Sequence, residues 1–230
     1  MKQIFYKLFK SKQWDIVWLV VGFLVVVASA VHDWSGSFEL IWLTSLIGGF
    51  LGMTIVLLFA NQKGKAGSGL GVIGAGFDSF NYYRFGLLGN VFVGLYCAVL
   101  YGKGFFKLGK EIKVTKFTKL NLIVSIALAG LGAVVLYFFS NTILPKDAPL
   151  WVLSLNIIVF VVQVVSQYLM VEGKAVSWIG WILANFINIA LNGYMVYTGQ
   201  PGALIYLAMT VMYQLNSFKV AFLWYGYGEE

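Results

Sequence analysis

Five side chains in the C-terminal half stand at a spacing that could hold a small solute. Trp178, Trp181, Asn185, Asn188 and Asn192 follow i, i+3, i+7, i+10, i+14, which is one stripe along a helix of 3.6 residues per turn. Asn156, Gln163 and Gln167 share a face of the segment before it, and Tyr206, Thr210, Tyr213, Gln214 and Ser217 share one in the segment after it. Indoles offer flat faces to an aromatic or cationic ring, and uncharged amides both donate to and accept from hydroxyls and carboxamides. A sugar joined to a flat heterocycle suits that chemistry. A phosphate does not, since no lysine or arginine belongs to these stripes. Enzyme chemistry is poorly supplied: there is one histidine, His32, and no Walker A, HExxH or Gly-x-Ser-x-Gly element. No cofactor, metal site or nucleic-acid partner is expected. The one cysteine, Cys97, lies in an apolar run, which excludes a disulfide framework.

The segments that carry these stripes are built for lipid. Of the 230 residues, 60% are hydrophobic and 11% charged, too few charges to clothe a soluble domain. Apolar runs long enough to cross a hydrocarbon core of about 30 Å fall at Trp14–Val31, Phe38–Ala60, Ser68–Tyr82, Phe85–Tyr101, Leu120–Ile143, Leu150–Val171, Ala175–Thr198 and Gly202–Trp224. Continuous rather than alternating runs make helices, not a barrel. The third run is short, rich in glycine and carries Asp78 and Asn81, and charge decides its status. With it as a span and the N-terminus inside, thirteen lysines fall inside, at positions 2, 7, 10, 12, 63, 65, 103, 107, 110, 113, 116, 119 and 174. Only Arg84 and Lys146 then lie outside, as the positive-inside rule requires. Both termini are expected in the cytoplasm. The first run, with Ala28-Ser29-Ala30 at its end, imitates a cleavable signal peptide but is longer than the usual apolar core of one. Asp78 either balances a cationic ring or sits at the outer end of its helix paired with Arg84, and the pairing is preferred.

An internal match fixes the architecture further. Gly64 to Phe77 lies against Gly173 to Phe186 at a constant offset of 109 residues with eight of fourteen positions identical. Each stretch begins the middle helix of a three-span group. The expected fold is an all-α polytopic membrane protein of eight transmembrane helices. An extra N-terminal helix (1–37) precedes a first repeat (38–101), a basic loop with one linker helix (102–149) and a second repeat (150–230). An odd group followed by one connecting span returns the chain to its starting side, so the repeats are parallel, with the solute between them near the midplane. In the offset register Gly69 and Val72 match Trp178 and Trp181, and the packing role is assigned to Gly69, Gly71, Gly74 and Gly76.

Trp178-x-x-Trp181-x-x-x-Asn185, on that helix and in that layout, resembles the signature of the PnuC family of vitamin transporters, whose fold is SWEET-like. The resemblance covers nearly the whole chain. It implies facilitated diffusion of nicotinamide riboside across a bacterial inner membrane, retention by a cytoplasmic kinase and a homotrimer. By it, Trp178, Trp181 and Asn185 line the site; Asn188, Gln163, Gln167, Tyr213 and Gln214 join them from the stripes, and Asn81, Tyr82 and Asn90 are weaker candidates from the first repeat. Thiamine and deoxyribonucleosides, carried by relatives of similar sequence, remain alternatives.

Overall fold

The computed structural model describes residues 2–34, 36, 40–84, 88–143 and 149–226. Among them the chain forms helices α1 (Lys2–Phe9), α2 (Lys12–His32), α3 (Leu40–Ala60), α4 (Gly64–Arg84), α5 (Leu88–Lys107), α6 (Lys119–Ile143), α7 (Leu150–Val171), α8 (Ser177–Tyr197) and α9 (Ala203–Trp224). The expected span starts at Phe38 and Phe85, and Lys146, lie outside the described residues. Five helices, α2, α3, α6, α7 and α8, are long and apolar enough to cross a membrane. The doubtful third run is a 21-residue helix, α4, which at 1.5 Å per residue reaches about 30 Å.

Helix packing makes a ring. α3 packs on α4, α4 on α5, α5 on α7, α7 on α8, α8 on α9, and α9 back on α3. α2 lies outside this ring against α3 and α9, and α6 lies outside it against α7 and α5. The two middle helices, α4 and α8, do not touch each other. Glycine lets α4 sit close to its neighbour: a Cβ at Gly71 would stand 2.7–2.8 Å from the Tyr101 ring of α5. Gly76, expected to share that role, has nothing within 4 Å of where its Cβ would be. It sits on an exposed face of α4, so close approach does not explain it.

α2 is a full member of the bundle, with Trp18, Val26 and Ala30 buried and the Trp18 indole donating to the Met212 carbonyl at 3.2 Å. Its Asp15 pairs with Lys219 of α9, whose side chain is wholly buried, and also accepts from Asn61 at 2.8 Å. Loss of α2 would leave that lysine without a counter-charge, a costly state for a buried cation.

The segment 108–118 between α5 and α6 ties the starts of both middle helices together. Ile112 donates its N–H to the Gln62 carbonyl at 2.7 Å, and Glu111 pairs with Lys63 at 3.1 Å, just before α4. Thr115 donates to the Gly173 carbonyl at 2.9 Å, and the Lys174 ammonium donates to Thr115 Oγ1 at 2.8 Å and the Lys116 carbonyl at 2.9 Å, just before α8. Ile112 is buried among Phe59, Met170, Trp178 and Trp224, closing this end of the ring. Glu172 holds Lys103 at 3.2 Å and Lys107 at 2.6 Å. Burial pushes the Glu172 carboxyl up, but hydrogen bonds and charge from the two lysines outweigh it and hold it below the ordinary carboxylate value.

Candidate functional site

A cavity of about 170 Å³ lies inside the ring. For scale, a cavity of ~150 Å³ accepts one benzene ring. From α8 come Trp178, Trp181, Asn185 and Asn188; Gln163 enters from α7, and Tyr206, Thr210, Tyr213 and Ser217 enter from α9. Each of the three stripes read from the C-terminal half thus sends some of its members to a common interior, the α7 stripe only Gln163. The indole N–H groups of Trp178 and Trp181 have no hydrogen-bond partner, which leaves two buried donors at the wall. Trp178 is fixed edge-on against Trp224, centroids 5.6 Å apart. Asn185, buried, donates to Ser217 Oγ at 3.0 Å, so its amide orientation is set from α9.

Other candidates play different parts. Gln167 and Gln214 are buried, yet neither lines the cavity. Gln167 lies near the Tyr101 hydroxyl, but no atom of its amide, nor of the Gln214 amide, makes a hydrogen bond of good geometry. Asn192, at the far end of the α8 stripe, donates to Thr210 Oγ1 at 3.0 Å and joins helices rather than facing the cavity. Asn156 turns back on its own helix, donating to the Val152 carbonyl at 2.9 Å. Asn81, wholly buried, accepts from Thr44 at 2.5 Å and donates to the Tyr206 hydroxyl at 2.9 Å. Tyr82 and Asn90 both reach the cavity wall.

The N-terminal half contributes more than the sequence reading assigned to it. Gly71, Gly74, Ala75 and Asp78 of α4 line the cavity, with Phe59, Cys97 and Tyr101 from its neighbours. Asp78 is not paired with Arg84. Instead it accepts from the Tyr206 hydroxyl at 3.2 Å. The expected match of Gly69 and Val72 to the two tryptophans also changes. Neither lines the cavity, and Val72 is 39% exposed on the outer surface. The cavity-facing residues Gly71, Gly74 and Asp78 repeat the i, i+3, i+7 spacing of Trp178, Trp181 and Asn185 at a separation of 107 residues, not 109. A two-residue slip turns a helix by about 200°, so the register of best identity points the wrong face inward. The readable signal was a Gly-x-x-Gly-x-x-x-Asp spacing, concealed by the stronger identity two residues away.

A family model described as nicotinamide mononucleotide transporter matches residues 42–226. The fold is similar to a solved structure described as the vitamin B3 transporter PnuC, with a TM-score of 0.74 and 21% identity, covering 95% of this chain and 93% of that one. No match is found among curated proteins. The ring of helices, its central cavity and a family match that spans most of the chain lead to one conclusion: this protein belongs to the nicotinamide mononucleotide transporter family, a family of membrane transporters and not of enzymes.

Proposed function

We propose that the chain carries nicotinamide riboside, without its phosphate, by facilitated diffusion, binding it in the cavity between two parallel halves near the midplane. The observation that carries this reading is the α8 wall, where two indoles with free N–H groups and the amides of Asn185 and Asn188 face a cavity that no described lysine, arginine or histidine lines. Indoles suit the flat ring, and amides suit the ribose hydroxyls and the carboxamide. The family's description names the mononucleotide, but a phosphate would enter this cavity without a cationic partner. The ring could open toward each side in turn around such a site.

The fuller architecture is part of the same proposal. Helices α2 to α5 and α6 to α9 form two halves of four, since their starting residues stand 107, 110, 113 and 115 apart, from Lys12 to Lys119, Leu40 to Leu150, Gly64 to Ser177 and Leu88 to Ala203. α2 and α6 occupy corresponding positions outside the ring. Eight spans result, α1 lying outside the count. Helix α1 and the last turn of α9 come to the end closed by Ile112, where α1 packs on α9 and Lys63, Lys103, Lys107 and Lys174 gather, so this end faces the cytoplasm of a bacterial inner membrane. Trapping of the solute by a cytoplasmic kinase and assembly as a homotrimer follow from the family resemblance alone.

Calorimetry on the purified chain tests the substrate directly, with nicotinamide riboside, nicotinamide mononucleotide, thiamine and thymidine as titrants. Saturable binding of the riboside with at least tenfold weaker binding of the mononucleotide is the expected result. Absence of riboside binding, or preference for the phosphorylated form, rejects the reading.

A further inference from the structure

We propose that Asp78 is the charge-selecting group of the cavity, so that the preferred solute is a flat heterocycle bearing a fixed positive charge rather than an uncharged ring of the same shape. This rests on the carrier reading above and narrows it. Asp78 lines the cavity and is partly accessible there. No described lysine, arginine or histidine comes within ion-pair distance of it, whereas the wholly buried Lys219 has a counter-ion in Asp15. A carboxylate deep in a low-dielectric bundle is costly without a cation nearby. A cationic ring in the cavity would supply one.

A chain of hydrogen bonds prepares the group. The Asn81 carbonyl oxygen lies 2.5 Å from the Thr44 hydroxyl, which also reaches the Leu40 carbonyl at 2.9 Å, and the Asn81 amide nitrogen donates to the Tyr206 oxygen at 2.9 Å. The Tyr206 proton is then directed to Asp78 Oδ1 at 3.2 Å. One carboxylate oxygen is thereby held by a donor. That arrangement orients the carboxyl group, while a neutral hydroxyl supplies no counter-charge of its own. Asp78 also stands at the position on α4 that Asn185 holds on α8, 107 residues later, and the two helices do not touch across the cavity. A ring lying on the indoles of α8 would therefore have the acid on the opposite wall, and indole faces themselves attract a cationic ring. Of the solutes considered above, nicotinamide riboside and thiamine carry such a ring charge and a deoxyribonucleoside does not.

The test compares nicotinamide riboside with its reduced dihydropyridine form, which has nearly the same shape and no ring charge. Both are titrated calorimetrically into the full chain, and thermal unfolding reports folding of each variant. The parent should bind the cationic form at least tenfold more tightly. Asp78→Asn should bring the two forms within threefold of each other, by weakening the cation and leaving the neutral form within threefold of its parent value. Asp78→Glu should keep the preference. Equal affinity of the parent for the two forms overturns the inference without any variant and leaves the carrier reading intact. An unchanged preference in Asp78→Asn, or equal weakening of both forms, also overturns it, because the acid would then be a structural partner of Tyr206 only. If the parent binds neither form, the carrier reading itself falls and the inference with it.

Discussion

The two middle helices, α4 and α8, begin alike and face the cavity differently. A Gly-Lys-Ala sequence opens α4 and stands just before α8, and both starts are fastened by the same segment, 108–118, through Gln62 and Lys63 on one side and Gly173 and Lys174 on the other. One turn further in they diverge. α8 presents indole, indole and amide where α4, at the same i, i+3, i+7 spacing, presents glycine, glycine and carboxylate. One framework has thus been given two roles: α8 supplies stacking surface and amides, and α4 supplies room, through residues without side chains, and a charge. Similar anchorage holds both helices in place, while the walls they present to the cavity differ in chemistry.

Breaking α4 should cost the most in stability. Gly71→Leu drives a side chain into the Tyr101 ring; overpacking of this kind costs ~3 kcal/mol, and a fall in the thermal midpoint of purified protein would register it. Gly76→Leu, one face round and with no neighbour within 4 Å, should leave the midpoint nearly unchanged. If the two behave alike, close approach is not what α4's glycines are for.

Breaking α8 should cost binding without folding. Asn185→Leu removes a buried amide held by Ser217; a loss of ~2 kcal/mol, or about thirtyfold in solute affinity, should appear in a chain that still folds, with a smaller fall in thermal midpoint than Gly71→Leu gives, and uptake in vesicles should collapse. Trp181→Ala should weaken binding somewhat less, by ~1 to 2 kcal/mol. Its partner in the register of best identity, Val72→Ala, should bind within twofold of the parent, since Val72 is on the outer surface. Comparable losses at Val72 and Trp181 would restore the 109-residue register and remove the contrast between the walls.

The smallest effect is expected at the shared anchor. Glu172 titrates below its ordinary value in the folded chain because Lys103 and Lys107 favour its charge. Its contribution to stability is therefore complete above the ordinary carboxylate range and is lost as pH falls through the lowered value. Thermal midpoints measured from pH 7 down to pH 3 should show a small acid-side decrease that Glu172→Gln reduces. A decrease of the same size in that variant would place the acid sensitivity elsewhere.

What could be read directly from the residues is the part governed by local rules. The lysine distribution, where apolar length was indecisive, pointed to α4 as a helix despite its glycines, because moving the six-lysine loop outside would break the positive-inside pattern. The α8 stripe was legible for a different reason: helical periodicity places Trp178, Trp181 and Asn185 on one face whatever surrounds them.

Which way each face points was decided only by packing. Asp78 and Arg84 are six residues apart on one helix, and nothing local says that the acid turns inward to Tyr206, 128 residues away. Asn192 and Asn185 sit on the same stripe, yet one joins helices and the other faces a cavity, because a cavity exists only where the ring leaves it. Sequence periodicity fixes angles around a single helix axis, whereas the rotation of that axis toward its neighbours is a property of the assembled ring. That is why the composition of both walls was available from the chain, and their facing register was not.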